Sequence, residues 1–285
     1  MEKQIVVTGG AGFIGSHLCE ALVAKGHRVT SLDNYSMGST DNHVDGVTYL
    51  TGDTKDIESL IQFIPDLVYH LGEYPRVEQS FADIAKVLDF NVVGTKAVLE
   101  FCRQRNCKII YAGSSTKFAD GGIGRDQSPY AWSKAANTEL VRNYGTWFNL
   151  PYAVTYFYNV YGPRERGQRA TGTVVAIFAQ HIKEGKPLTV YAPGTQRRNF
   201  THVNDIVAGL ELVGERGQGD EYGLGHPDSY SILEVAKMFG GTIEMGEEQP
   251  GNRMQSQVDI NRASLELGWK PHHNLPDYIK SLLHE

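Results

Sequence analysis

Three side chains of this sequence form a set that can take a proton from a substrate hydroxyl and return it. Tyr130 and Lys134 lie four residues apart in SPYAWSKAANTEL, so on a helix both project from one face. Ser114 ends the preceding predicted strand, KIIYAGSS. A free tyrosine has a pKa of about 10, too high for a base at neutral pH, but a nearby ammonium favours the phenolate. The set predicts a general base, its electrostatic partner and a hydroxyl that hydrogen-bonds the same substrate oxygen.

Tyr-x-x-x-Lys is common on ordinary helices, so its interpretation depends on the elements around it. QIVVTG reads as a buried strand, and SHLCEALVAKG reads as a helix that ends at Gly26. Between them, Gly9 permits a tight turn, Gly12 lets the backbone approach a pyrophosphate, and Gly15 allows the helix to pack closely on the strand. In this context the glycine cluster predicts a dinucleotide-binding turn rather than a purely structural one.

The next two predicted strands end in acidic residues. Asp33 follows Gly15 by 18 residues, at the end of HRVTSLDN, where its carboxylate can accept hydrogen bonds from an adenosine ribose diol. An acid at this place disfavours a 2′-phosphate, so we predict NAD rather than NADP. Asp53, after the third strand, is a candidate for the adenine edge. A positively charged nicotinamide ring would add to the stabilisation of a Tyr130 phenolate, and the cofactor would take the hydride.

Strands and helices continue to alternate up to about residue 160. Further strands are predicted at DLVYHLG, KIIYAGSS and YAVTYFYNVYG, and helices at VLDFNVVGTKAVLEFCRQRN and YAWSKAANTELVRNYGTWFN. The pattern predicts an α/β fold with a doubly wound parallel sheet, the Rossmann arrangement, over residues 1–160, joined by later segments from roughly 195–225. Residues 161–285 are expected to form mainly a smaller substrate-binding lobe. Its closely spaced arginines, in GPRERGQRATG and YAPGTQRRNF, suit phosphate.

Composition narrows the possible partners and the location. The 285 residues carry a formal net charge of −6 and no basic stripe, so we expect no nucleic-acid partner. The three cysteines show neither metal nor disulfide spacing, and His272 and His273 lack two further ligands, so we predict no metal. The apolar runs are well short of the roughly 20 residues that span a bilayer, and the N-terminus lacks a signal-peptide pattern. We therefore expect a cytoplasmic protein without membrane contact.

The order of the motifs resembles the extended short-chain dehydrogenase/reductases, and within them the nucleotide-sugar epimerases and dehydratases. The matching stretches run from TGGAGFIGSHL through LDNYSMG, GDTKD, VYHLG, NVVGT, GSSTKF, SPYAWSK, FYNVYGPR and GTQRRNFTHVNDI to LGWKP. The resemblance implies tightly held NAD, Tyr130 as base, Lys134 as its partner and ribose ligand, and Ser114 at the substrate hydroxyl. It also implies a homodimer formed through the helices that contain NVVGT and YAWSK. The other residues it brings to the site are Asn91 near the cofactor, Asn159 at the sugar or diphosphate, and Arg198 on a phosphate. We expect the cofactor site to be completed by Phe13, Ile14, Asn34 and Leu71.

Within that family, the residues after Ser114 bear on the reaction. The 4,6-dehydratases carry an Asp-Glu pair after the equivalent residue, and decarboxylases tend to carry a glutamate two places on, whereas this chain has Ser115 and Thr116. We expect both to contact substrate. The remaining resemblance is to a 4-epimerase that acts on a nucleotide-diphosphate sugar through a 4-keto intermediate. A dehydratase or 4-keto reductase is the enzymatic alternative, and a non-catalytic NAD-binding module is the third possibility. A role in polysaccharide biosynthesis is an expectation drawn from the family.

Several positions concern substrate choice or depart from the family pattern. The resemblance places Ser256 beside the sugar, where a bulky tyrosine would exclude a C2 acetamido group and a small residue admits it, so Ser256 favours a UDP-N-acetylhexosamine or its uronic acid; a UDP-hexose is the other substrate expected. Gln249 stands where a second phosphate arginine is usual, and Arg253 is its candidate replacement. In VYHLGEYPRVEQS, Glu73 and Arg76 stand where the family commonly has small or variable residues. We expect Arg76 at the substrate, and Glu73 either as an acid in a different proton transfer or in an ion pair with Arg76. The segment from Phe118 to Tyr130 is shortened, and Phe118 and Ala119 replace Tyr-Gly, a change interpreted as packing.

Overall fold

The structure, a computed structural model, describes residues 1–116, 124–167, 172–248 and 258–284. The predictions for Phe118, Ala119, Gln249, Arg253 and Ser256 lie outside these ranges. The predicted doubly wound parallel sheet is confirmed: seven strands pair in the order β3-β2-β1-β4-β5-β6-β11, and every pair is parallel. These strands are β1 Gln4–Thr8, β2 Arg28–Asp33, β3 Val47–Thr51, β4 Leu67–His70, β5 Lys108–Ser114, β6 Tyr152–Phe157 and β11 Gly219–Leu224.

Helices cover both faces of the sheet because its strands are apolar on both sides. One core cluster includes Leu18 and Leu210 together with Trp269, and the opposite cluster includes Leu99 and Val141. The helices are α1 Phe13–Ala24, α2 Ile57–Leu60, α3 Ile84–Val87, α4 Gly94–Arg105, α5 Pro129–Phe148, α6 Val174–Lys183, α7 Val203–Arg216, α8 Ile232–Phe239, α9 Asn261–Leu267 and α10 Leu275–His284.

Short strands and helices later in the chain form a smaller cluster beside the sheet. Its apolar core includes Phe178, Leu188, Val235 and Phe239. The short strands are β7 Val160–Tyr161, β8 Leu188–Tyr191, β9 Arg197–Asn199, β10 Thr201–His202, β12 Ser229–Ser231 and β13 Ile243–Gly246; they pair as β7 with β10, β8 with β13, and β9 with β12. Because α9 packs against β11, the chain returns to the large sheet near its C-terminus. The division of the chain at residue 160 stays a prediction.

Three local expectations were wrong in detail. YAVTYFYNVYG, predicted as one strand, breaks between β6 and β7, where Asn159 adopts a positive φ of 39°. The helix predicted over VLDFNVVGTKAVLEFCRQRN contains a π-helical segment, Leu88–Val93, between α3 and α4. The third strand ends at Thr51, before Asp53. In the first two cases the hydrophobic pattern indicated the element but a local backbone deviation interrupted it, and in the third the strand ends two residues earlier than predicted.

No helix in the four described segments is both long and apolar enough to cross a membrane.

Candidate active site

A cavity of about 410 Å³ opens at the carboxyl ends of the central strands. It lies where the strand order reverses between β1 and β4, which is the usual ligand crevice of an open α/β sheet. The predicted cofactor residues that line it are Gly9, Gly12, Phe13, Ile14, Gly15, Asp33, Asn34 and Leu71. The predicted catalytic and substrate residues that line it are Arg76, Ser114, Ser115, Thr116, Tyr130, Lys134 and Asn159.

The glycine turn between β1 and α1 has the close backbone contacts of a phosphate cradle. Gly9 has a φ of 74°, a conformation that favours glycine. A Cβ atom on Gly15 would lie 2.1 Å from the carbonyl oxygen of Gly9, and one on Gly12 would lie 3.1 Å from the same atom. Helix α1 begins at Phe13, so its free N-terminal amides face the cavity, where they suit a pyrophosphate. The turn fits a dinucleotide.

Asp33 is fixed beside this turn at the end of β2. Its two carboxylate oxygens accept the Ala11 amide at 3.0 Å and the Tyr35 amide at 2.8 Å. Burial raises the pKa of Asp33, and the two amide hydrogen bonds act in the opposite direction. The side chain is thereby oriented at the cavity wall, as a ribose-binding acceptor requires.

The proton-transfer set is assembled from β5 and α5. The side chain of Ser128 accepts the amide of Ala131 and caps α5, and Pro129 occupies the first turn. One turn of this helix presents both Tyr130 and Lys134 to the cavity. The Tyr130 hydroxyl donates to Ser114 Oγ at 3.4 Å. The two oxygens can therefore approach one substrate hydroxyl together.

Lys134 is buried and held from the other side by Glu73. The exposed fractions of the two side chains are only 6% and 4%, and the Lys134 ammonium donates to the Glu73 carboxylate and to the Ala112 carbonyl. Glu73 therefore pairs with Lys134, and the predicted pair with Arg76 is wrong. The sequence could not reveal this contact because its partners are 61 residues apart.

In its other side-chain hydrogen bonds, too, the Glu73 carboxylate is the acceptor. The Asn137 amide donates to Oε1 at 2.8 Å, the Thr95 hydroxyl at 2.9 Å and the Tyr111 hydroxyl at 3.1 Å. Burial alone would raise the pKa of Glu73, but the Lys134 charge and these hydrogen bonds hold the pKa below its ordinary value. A carboxylate held ionised in this way is poorly suited to act as the acid that one sequence hypothesis assigned to it.

Three predicted site residues do not line the cavity that the described residues form. Asn91 is fully buried behind the wall, where its side chain accepts the Tyr74 amide at 2.6 Å. Asp53 accepts the Asn34 side chain at 2.5 Å. Arg198 lies on β9 in the smaller cluster and donates to the Arg197 carbonyl. Their roles in ligand binding stay predictions. Asn91 and Asp53 each hydrogen-bond a residue that lines the cavity, Tyr74 and Asn34 respectively.

Glu165 is a pocket residue that sequence reasoning missed. It lines the cavity after the GPR turn, and its Oε1 is buried without a hydrogen bond from any described residue. Burial raises the pKa of Glu165 to about 7, while Thr173, the nearby Arg76 charge and the Gly162 backbone act in the opposite direction. No local pattern marks this residue, because its significance lies in burial beside a cavity formed by distant segments.

The comparison with known protein families accounts for this arrangement. A model of the NAD dependent epimerase/dehydratase family matches residues 5–225. The chain belongs to this family. The family's cofactor is NAD, and the glycine turn and Asp33 described above fit that cofactor.

Individual relatives of this epimerase/dehydratase chain catalyse different reactions. It is 29% identical to the solved UDP-glucose 4-epimerase of Thermus thermophilus in complex with NAD, with a TM-score of 0.90 over 99% of this chain and 98% of that one. The UDP-glucuronic acid 4-epimerase of Bacillus cereus, in complex with UDP-glucuronic acid and NAD, is 28% identical, with a TM-score of 0.84 over 98% and 99%. A UDP-N-acetyl-alpha-D-glucosaminuronate decarboxylase of Bacillus cytotoxicus is 31% identical over 83% of this chain and 79% of the relative.

Gly15→Ala tests the cradle. The added methyl would collide with the Gly9 carbonyl, so we expect a loss of about 1–3 kcal/mol in the free energy of unfolding and at least a tenfold loss of NAD affinity. Titration calorimetry with NAD measures the second effect. Gly185→Ala is the control, because nothing lies within 4 Å of the added atom; its φ of 65°, unlike that of Gly15, is positive, so this variant also shows what loss of stability alone does to NAD affinity. Equal NAD affinities for the two variants would contradict the assignment.

Glu165→Gln tests the buried carboxyl. Because its pKa is raised in the folded state, the folded protein binds this proton more tightly than the unfolded chain, and stability falls as pH rises from about 4.5 to about 7. Glutamine removes that term. We therefore expect the variant to gain stability relative to the native protein at about pH 8 compared with about pH 5, measured by urea unfolding. The exposed Glu244→Gln variant is the control, and its stability relative to the native protein should be the same at about pH 5 and about pH 8.

Proposed function

We propose that the protein epimerises a nucleotide-diphosphate sugar at C4 through a transient 4-keto intermediate. The observation that carries the proposal is the contact between Tyr130 and Ser114 at the cavity wall, with Lys134 one helical turn away. The two residues after the serine, Ser115 and Thr116, also line the cavity, and neither can act as a carboxylic acid. The proton-transfer set beside the serine can therefore serve oxidation and reduction of a hydroxyl without adding a group for loss of water.

The chain's own residues would carry the proton through both half-reactions. Tyr130 accepts the proton of the C4 hydroxyl, and Ser114 hydrogen-bonds the same oxygen. NAD, held by the glycine turn and Asp33, would supply reversible hydride transfer at C4. After the sugar has turned, Tyr130 returns its proton to the C4 oxygen as hydride reaches the opposite face. One proton and one hydride are removed and replaced, so no net redox change remains.

The proposed substrate is a UDP-hexose or a UDP-N-acetylhexosamine. Arg76 and Asn159 line the cavity on the substrate side, and solved relatives bind NAD or UDP-glucuronic acid at their sites. Ser256, whose small side chain suggested an N-acetyl substituent, lies outside the described residues. The cytoplasmic location and the role in polysaccharide biosynthesis stay predictions.

A dehydratase or decarboxylase is the second candidate, and Glu165 is the observation that favours it. Its carboxyl group faces the same cavity with a pKa of about 7, so it can exchange a proton near neutral pH. The identity with a decarboxylase is also comparable to that with the epimerases. Epimerisation is preferred because Tyr130 alone can accept and return the one proton that this reaction moves.

An NMR time course distinguishes these reactions. Protein with bound NAD is mixed with UDP-N-acetylglucosamine in deuterated water, without added cofactor. We expect the galacto isomer to form without deuterium in the sugar, because the hydride returns internally. A 4-keto product deuterated beside a lost hydroxyl would identify dehydration instead. If this sugar is unchanged, UDP-glucose and UDP-glucuronic acid are tested in the same way, and failure with all three would refute the proposal.

Tyr130→Phe tests the base. Removal of the hydroxyl should slow turnover by about 10²-fold or more, because the group that accepts the C4 hydroxyl proton is lost. NAD content, measured after denaturation, should stay at the native level. Tyr152→Phe, on β6 and outside the cavity, is the matched control and should retain native turnover. Native turnover by Tyr130→Phe would assign the base elsewhere.

The proposed homodimer would use an apolar surface formed by α3, the π-helical segment and α5. Ile84, Leu88, Val93 and Trp132 on these elements, and Phe81 in the turn before α3, are each 40–55% exposed. Burying such a contiguous apolar surface in a second copy of the chain would be favourable, because the same residues meet across a two-fold axis.

Trp132→Glu tests that surface. A carboxylate at its centre should convert a dimer to a monomer, because an unpaired charge would be buried in the contact. Light scattering with size-exclusion chromatography measures the mass. Leu265→Glu, an equally apolar but separate exposed position on α9, is the control and should leave the mass unchanged. A native protein that is monomeric at high concentration would contradict the proposal.

A further inference from the structure

Glu73 belongs to a buried hydrogen-bond chain that runs from β1 to the proton-transfer set. Thr8 Oγ1 and His70 Nδ1 are 2.7 Å apart, and His70 Nε2 and Thr95 Oγ1 are 2.9 Å apart. Thr95 in turn donates to Glu73 Oε1. The Glu73 carboxylate then accepts the Lys134 ammonium. Except at Glu73, the side-chain groups along this chain are neutral hydroxyls and an imidazole, up to the ammonium of Lys134.

The direction of this chain follows from the single proton on each hydroxyl. A carboxylate only accepts, so the Thr95 proton points to Glu73, and His70 must donate through Nε2. Burial lowers the pKa of His70 to about 4, so the ring is neutral and its Nδ1 accepts the Thr8 proton. Every bond points towards Glu73. An anion at that position accepts all of these bonds, and the adjacent Lys134 ammonium favours the anion.

The negative charge of Glu73 matters because it is the anion that the described residues place against the Lys134 ammonium. Its ammonium contacts the Ala112 carbonyl and lies 4.6 Å from the centre of the Tyr111 ring. The buried pair has no net charge, although each member alone would be costly to keep away from water. The charge of the lysine that the reaction uses is thus balanced from within the protein.

We propose that Glu73 is a positioning residue that fixes the Lys134 ammonium and, by its negative charge, sets the pH range in which Tyr130 and Lys134 work. This role deepens the proposed function and rests on it for the activity measurements alone. It acts through Lys134 and gives Glu73 no contact with substrate. The requirement is the charge and its place behind the lysine, not proton donation by Glu73.

The groups that face this charge come from three elements. They are His70 from β4, Tyr111 from β5 and Lys134 from α5; Thr95 and Asn137 add only neutral donors, and Tyr130 lies one helical turn from Lys134. Removing a negative charge from a buried cluster makes every neighbouring proton easier to lose. Without the Glu73 charge, we expect both the Tyr130 phenol and the Lys134 ammonium to lose their protons at lower pH. Both limbs of the activity profile must move in the same direction.

Glu73→Gln, Glu73→Asp and the native protein are compared by pH profiles of kcat and kcat/KM, with NAD bound. We expect the glutamine variant to shift the whole profile to lower pH by about one unit or more. The aspartate variant keeps the charge, so its limbs should stay near the native positions even if its rate falls. Glu78→Gln, an exposed change in the same loop, is the control and should leave rate and profile native. A lower rate with unmoved limbs in Glu73→Gln would overturn the proposal, because it would indicate packing support alone.

A second measurement does not depend on the reaction. The near-ultraviolet absorbance of ionised Tyr130 is obtained as the difference between each chain and the same chain with Tyr130→Phe. With Glu73→Gln, this absorbance should appear at lower pH than with native Glu73. An unchanged titration would refute the role of Glu73 even if the epimerase assignment holds. A shifted titration in a protein that converts no nucleotide sugar would uphold the role and refute the proposed function.

Loss of folding in Glu73→Gln is resolved by the double variant Glu73→Gln with Lys134→Met. If the uncompensated ammonium is the cause, the double variant should fold and unfold at higher urea concentration than Glu73→Gln alone. If both variants fail to fold, Glu73 acts through its other hydrogen bonds and the proposal fails.

Discussion

Because the strands of the sheet all run parallel, their carboxyl ends lie along one edge, and every part of the site is built at that edge. The glycine turn follows β1, Asp33 ends β2, Glu73 lies in the loop after β4, and Ser114 ends β5. Helix α5 then crosses behind Ser114 and brings Tyr130 to it. A change in the order or direction of these strands would separate groups that here share one cavity. The site thus depends on sheet topology before it depends on any side chain.

Charges at this edge are kept away from water in three different ways. Asp33 is held by two backbone amides, Lys134 and Glu73 balance one another, and Glu165 keeps a proton to higher pH because its burial is not fully compensated. The first two arrangements hold charged groups in fixed positions. The third leaves one carboxyl group that changes its charge near neutral pH, at some cost to stability above that pH.

Epimerases and decarboxylases share this scaffold among the relatives of the chain. Under the proposed function, the dinucleotide turn and the Tyr130 set would oxidise and reduce a sugar carbon. Epimerisation and its alternatives would then differ in which acid or base acts beside the proposed 4-keto sugar. In this chain the two carboxyl groups that matter most for that choice are Glu73, which is fully engaged, and Glu165, which is not.

The sequence alone determined the order of the main strands and helices up to about residue 160, the dinucleotide turn, the acid at the end of β2 and the spacing of Tyr130 and Lys134. These features are local: hydrophobic periodicity and glycine positions act over one strand, one turn or one helix. The tertiary structure decided that Glu73 pairs with Lys134 rather than Arg76, that Asn91 lies behind the cavity wall, and that Glu165 is buried at the cavity. The backbone breaks at Asn159 and in the Leu88–Val93 segment were likewise decided there. Such outcomes depend on which distant segments meet and how much water they exclude, and no single segment encodes that information.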